Sequence, residues 1–170
     1  MADIRVEHVF ECSADVFWER VFFNSEFNRR MYLNELQFSS WRETERRDEG
    51  DTLFRVVELT PPLGDLPAPL KRLIGNGFGY REEGTFDKLA KRYRARAIPN
   101  RLADKLSVRG EMWCEPLDEN RCRRIFAGKV TAKVFGIGPL LESRIVSDMR
   151  ASYDGAARCT REFLAGHSVG

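Results

Sequence analysis

The chain has 170 residues, 42% hydrophobic and 32% charged, with 12 Phe, 3 Trp and 4 Tyr. That is the length of one domain, with enough apolar side chain to offset chain entropy, which excludes a disordered tail. Its 28 Lys and Arg stand against 26 Asp and Glu, a net charge of +2, too small a surplus for a dedicated nucleic-acid binder.

Ile4, Val6, His8 and Phe10 repeat every second residue, which predicts a half-buried strand. Ser13 then offers an N-cap hydroxyl and Asp15 a carboxylate to the first turn of a helix carrying Phe17, Trp18, Val21 and Phe22 on one stripe. Asn24-Ser25 interrupts it, and a second short helix follows with Phe27 and Met31 one turn apart. Residues 38–47 and 52–59 read as strands around the turn Asp48-Glu49-Gly50-Asp51. The stretch 61–77 opens with four prolines in nine residues, which remove ladder donors. One or two helical turns are expected at its Leu70–Gly75 end, and irregular stretches of this length are usually functional.

Further strands follow. Tyr80, Glu82 and Phe86 share one parity, as do Tyr93, Ala95 and Ala97 on the next strand. Leu106, Val108, Met112 and Cys114 alternate with charged neighbours, and Asp118-Glu119-Asn120 turns the chain into Cys122, Arg124, Phe126 and Val130. Gly136-Ile137-Gly138-Pro139 ends the last strand, and a long helix is predicted over about 139–164, with Leu141, Ile145, Met149, Ser152, Ala156, Cys159 and Phe163 on one face. No helix separates the later strands, so the class is α+β with an antiparallel sheet of six to seven strands. The small residues Ser152, Gly155, Ala156 and Ala157 would leave space between this helix and a curved sheet, and apolar cavities take apolar ligands.

The chain resembles the START-like superfamily, the helix-grip or Bet v 1-like proteins, in a bacterial branch without assigned function, with a more distant similarity to PRELI-like phospholipid carriers. The resemblance is carried by Val6-Glu7-His8-Val9-Phe10 leading to Ser13-Ala14-Asp15-Val16-Phe17-Trp18. It is carried further by Leu59-Thr60-Pro61-Pro62 running to Leu73-Ile74-Gly75, and by Gly136-Ile137-Gly138-Pro139-Leu140-Leu141-Glu142. It implies a single domain over 1–170, with the sheet wrapped around the C-terminal helix and a lipid or other small hydrophobic ligand held between them.

His8, Phe10, Tyr80, Glu82, Phe86, Met112, Phe126, Met149 and Tyr153 are the candidate cavity residues, and Pro62, Leu66, Leu70 and Ile74 the candidate gate. An unpaired charge facing inward is costly, so His8, Glu82 and Arg124 each need a partner, water or a bound headgroup. Arg124 is expected at a strand end in solvent. Arg92, Arg94 and Arg96 are expected on an outer face balanced by Glu83, Glu111 and Glu115. His8 and Glu82 would form an acid–base pair of the polyketide-cyclase kind if they come within hydrogen-bond reach. Signatures of zinc proteases, serine hydrolases and P-loops are absent, so no catalytic residue, metal or cofactor is expected, and a non-enzymatic binder is the leading reading. A cavity enzyme and a filled domain acting through protein contacts are the alternatives. No apolar run approaches the ~20 residues of a membrane span. The opening lacks a secretory pattern, so a cytoplasmic protein with reduced cysteines is expected, touching membranes at most transiently.

Overall fold

The protein was studied as a computed structural model, which describes residues 1–166; His167 lies outside the described residues. Strand β1 (Ala2–Phe10) leads to α1 (Ala14–Val16), where Ser13 Oγ accepts from the Val16 amide, as the N-cap reading requires. The helix continues as a π-helical turn, Phe17–Phe22. Helix α2 (Ser25–Arg30), capped by Asn24, likewise runs into a π-helical turn, Met31–Glu35. The hairpin β2 (Ser40–Asp48) and β3 (Thr52–Thr60) follows, then α3 (Ala68–Ile74). Gly75 ends α3 at φ +66°, a conformation that suits a residue without Cβ. Strands β4 (Tyr80–Asp87), β5 (Arg92–Pro99), β6 (Leu106–Asp118) and β7 (Arg121–Ala132) complete the sheet, and α4 (Gly138–Leu164) ends the fold.

All seven strands are antiparallel, in the order β1-β7-β6-β5-β4-β3-β2. The first strand therefore closes on the last, as a helix-grip fold requires. Helix α4 packs on β1, β7 and the Met31–Glu35 turn rather than on the middle strands. The two ends of the inner sheet face are covered differently. At one end Phe17, Trp18, Phe22 and Phe23 pack on Phe10, Phe86 and Tyr93. At the other, Leu70 and Ile74 of α3 join Leu106, Val130 and Leu141. The outer face carries the expected arginine row: Arg92 and Arg94 share Glu111 at 2.8 Å each, and Arg96 meets Glu83 at 2.9 Å.

A row of small residues crosses the sheet in register, Gly84 opposite Ala95, Ala95 opposite Gly110, and Gly110 opposite Gly128. It lets two rings lie flat on the inner face. A Cβ on Gly84 would collide with the Tyr93 phenol, and one on Gly110 would come within 2.5 Å of the Phe126 ring. Tyr153 of α4 then stacks on Phe126 at 4.8 Å. Not all the small residues of α4 leave space: Gly155 receives the Leu36 side chain, and Ala157 is fully buried.

Candidate functional site

Between the two covered ends, inward-facing side chains keep surface that water can reach. Glu82 on β4, Ala97 on β5 and Val108 on β6 are cross-strand neighbours, and all three are only half-buried. Tyr80 beside them, Tyr32 from the second π-helical turn, and Met149, Ser152, Tyr153 and Ala156 from α4 are half-buried as well. From this shared half-burial we infer a hollow between sheet and helix.

The hollow is apolar with phenolic edges. The hydroxyls of Tyr32, Tyr80 and Tyr153 make no hydrogen bond to any described residue, yet none is a sealed, unsatisfied atom. They therefore face accessible space. Desolvation first and the Glu82 charge as well push the Tyr32 phenol up to about 12 and those of Tyr80 and Tyr153 well above the usual range.

Two buried arginines border it, and their surroundings differ. Arg55 on β3, 4% exposed, reaches Glu82 Oε2 at 3.4 Å and donates to the Phe22 carbonyl at 3.2 Å. Its guanidinium stacks on Phe22 at 4.5 Å, and the Tyr93 hydroxyl donates to the same Glu82 oxygen at 3.1 Å. Desolvation pulls the Arg55 value down, but Tyr93 and Glu82 outweigh it and the net shift is upward. Arg124 on β7 is also 4% exposed, so it is not the solvated strand-end residue expected, because the Tyr153 ring of α4 lies over it. It lies between the Phe10 and Tyr153 rings, at 5.2 and 5.0 Å, and donates to His8 Nδ1 at 2.8 Å. No carboxylate pairs with it among the described residues, and desolvation lowers its pKa.

His8 and Glu82 do not meet. His8 Nε2 lies 2.8 Å from Asp154 Oδ1, whereas Glu82 binds Arg55 and Tyr93 from β4, with β7, β6 and β5 between the two strands. Of the other candidate cavity residues, Tyr80, Met149 and Tyr153 keep accessible surface, while Phe10, Phe86, Met112 and Phe126 are buried in the core. In the gate, Leu70 and Ile74 are buried, Leu66 is half-buried and Pro62 points outward. Arg144 of α4 pins the segment by donating to the carbonyls of Leu63 at 2.6 Å and Asp65 at 2.8 Å.

Tyr32, Arg55 and Asp154 were absent from the sequence candidates. Arg55 had a readable signal, since it shares the parity of Leu53, Val57 and Leu59. All four cysteines are free, and Cys114 and Cys122 are not joined. The Cys122 thiol is pushed up to about 12 by its contact with Cys114 and by burial, so it is a poor nucleophile. Among the described residues no cluster of His, Cys, Asp and Glu would hold a metal, and no helix is long and apolar enough to cross a membrane. A broad open depression of about 1040 Å³ lies on the outer sheet face along Arg94, Arg96, Arg109 and Trp113. Its glutamates are already paired with arginines, and it lies opposite the hollow.

Residues 5–164 match the family described as protein of unknown function, DUF2505. The chain belongs to that family. No curated protein matches it. Among solved structures, this DUF2505 chain is similar to the Zhui aromatase/cyclase from Streptomyces sp. R1128, with 14% identity and a TM-score of 0.67 over 98% of this chain and 100% of that one. Norcoclaurine synthase from Thalictrum flavum, in complex with dopamine and hydroxybenzaldehyde, has 16% identity and a TM-score of 0.61 over 99% and 89%. XoxI from Bacillus cereus has 14% identity and a TM-score of 0.61 over 95% and 94%. Identities this low show the fold alone, which is a helix-grip fold. The more distant resemblance to PRELI-like carriers gains no support from these three.

Proposed function

We propose that the protein binds a small hydrophobic ligand, a lipid or an oxygenated aromatic compound, in the hollow between the inner sheet face and α4. The observation that carries this reading is the set of three inward phenols, Tyr32, Tyr80 and Tyr153, that keep accessible surface and find no acceptor among the described residues. Desolvated hydroxyls around an apolar space are the pattern of a small-molecule site, in which apolar surface supplies affinity and a few polar groups set orientation. The Pro-rich strap and α3 act as the gate. The fold neighbours, a cyclase and a synthase with its aromatic ligands, support a ligand-holding use of the fold. Native mass spectrometry of the purified protein is expected to show an adduct of small-molecule mass, or to gain one with 2-naphthol. A protein that stays bare under both conditions refutes the reading.

One observation favours a catalytic second reading. Glu82 places a partly solvated carboxylate beside the Tyr93 hydroxyl at the edge of the hollow, where it would serve as a general base. Turnover of a candidate substrate that is lost in Glu82→Gln, with binding retained, would establish this reading over simple carriage.

A further inference from the structure

The two arginines at the hollow are not equivalent, and the difference bears on the ligand. Arg55 already has its carboxylate in Glu82. Arg124 has none: Nη2 is taken up by His8 Nδ1 at 2.8 Å and by the Tyr153 carbonyl at 3.5 Å, Nε is buried without an acceptor, and Nη1 finds no acceptor among the described residues. Its surroundings do not supply the missing charge. Arg161 from the same helix approaches the Phe10 ring at 5.7 Å and adds a second cation. His8 is neutral when its Nδ1 accepts from arginine. Asp154, the nearby acid, is turned to solvent and engaged with His8 Nε2. A buried cation without a counter-ion is costly, and a site keeps one where a ligand supplies the anion.

Resting on the ligand-binding reading, we infer that the ligand carries an anionic oxygen group, a carboxylate in the first instance, which docks on Arg124 while its apolar body lies along Tyr153 and Met149. The site thus selects hydrophobic acids over neutral compounds of the same shape, and Arg124 is the specificity-determining residue.

The test compares 1-naphthaleneacetate with its neutral isostere 1-naphthaleneacetamide by calorimetry at pH 7.5, where His8 is neutral. The wild-type protein is expected to bind the acid about tenfold or more tightly than the amide, as a desolvated charge-assisted bond would give. Arg124→Gln is expected to level the two, Arg124→Lys to restore part of the preference, and Arg96→Gln, on the outer sheet face, to leave it intact. Equal binding of acid and amide by the wild type overturns the inference while leaving the hollow as a ligand site. A preference that survives Arg124→Gln overturns it as well. Binding of neither compound overturns this inference, while the ligand-binding reading beneath it stands or falls on the native mass spectrum. The wild-type ratio decides even if Arg124→Gln fails to fold.

Discussion

Arg124 donates to Nδ1 of His8 at 2.8 Å while the opposite ring nitrogen donates to Asp154 at 2.8 Å, and the two bonds together specify a neutral imidazole protonated on Nε2. Protonating Nδ1 would break the arginine bond and set two cations side by side. Burial is the largest cause of the lowered His8 pKa, and the Arg124 charge adds to it, against the raising effect of Asp154.

A histidine whose folded pKa lies below its unfolded value binds fewer protons when folded, so its contribution to stability is complete above the unfolded value. That contribution is lost as pH falls from about 7 through the folded value, and it levels off below. Denaturant midpoints measured between pH 8 and pH 5 should therefore decline for the wild type and decline less for His8→Gln, whose amide keeps a donor and an acceptor. Identical slopes for the two proteins would place the pH sensitivity elsewhere.

Glu82 is the only carboxylate paired with the buried Arg55 among the described residues. Replacing it by Leu leaves that guanidinium with the Phe22 carbonyl, the Tyr93 hydroxyl at 3.5 Å and aromatic faces, and leaves the Tyr93 hydroxyl without its acceptor. The expected cost is about 3 kcal/mol, below the upper range for breaking a buried pair because Glu82 is 32% exposed and water already screens it. Glu82→Gln, which keeps an oxygen acceptor, should cost less than half of that. Chemical denaturation of the two variants measures both, and equal losses would mean that the charge contributes nothing to holding Arg55.

Ala97 sits on the floor of the hollow between Glu82 and Val108 and is only half-buried. Leucine at this position points into free space, so the variant should keep or gain stability, by up to about 1 kcal/mol, while losing affinity for 2-naphthol. In a packed interior the same substitution would cost about 1–3 kcal/mol through strain. A thermal melt therefore reports directly on whether the hollow exists, independently of any ligand.

The periodic parts of this architecture were legible because period two and period 3.6 leave marks in the residue order. Tyr93, Ala95 and Ala97 against Arg92, Arg94 and Arg96 gave both faces of β5, and Leu141 to Phe163 gave the inner face of α4. Tyr32 escaped because a π-helical turn places it, and the extra residue in such a turn shifts the phase that helical spacing assumes. Arg124 was found by parity but misjudged in depth. Alternation tells which face a side chain takes, whereas burial depends on what is laid over that face, here the Tyr153 ring from a helix 29 residues further along. The His8–Glu82 pairing failed for a related reason: two inward residues share a face without sharing a neighbourhood, and strand order sets the distance between them.

The strap over the far end of the hollow is held by polar contacts as well as apolar ones, which separates its opening from its folding. Leu70 and Ile74 anchor α3 in the core, but the chain before it is tied to α4 through Arg144, bonded to the Leu63 and Asp65 carbonyls and steadied by Asp148 at 3.0 Å. Arg144→Met removes both tethers and keeps most of the apolar stem. The cost in stability should be small, about 1 kcal/mol, because the freed carbonyls can turn to water. The rate at which a bound fluorescent probe such as 1-anilinonaphthalene-8-sulfonate leaves should rise several-fold if this segment gates the hollow, with its equilibrium affinity reduced less than the off-rate increases. Stopped-flow dilution measures that rate. An off-rate equal to that of the wild type, in a variant whose melt confirms that the tethers were broken, would mean that the ligand leaves by another route.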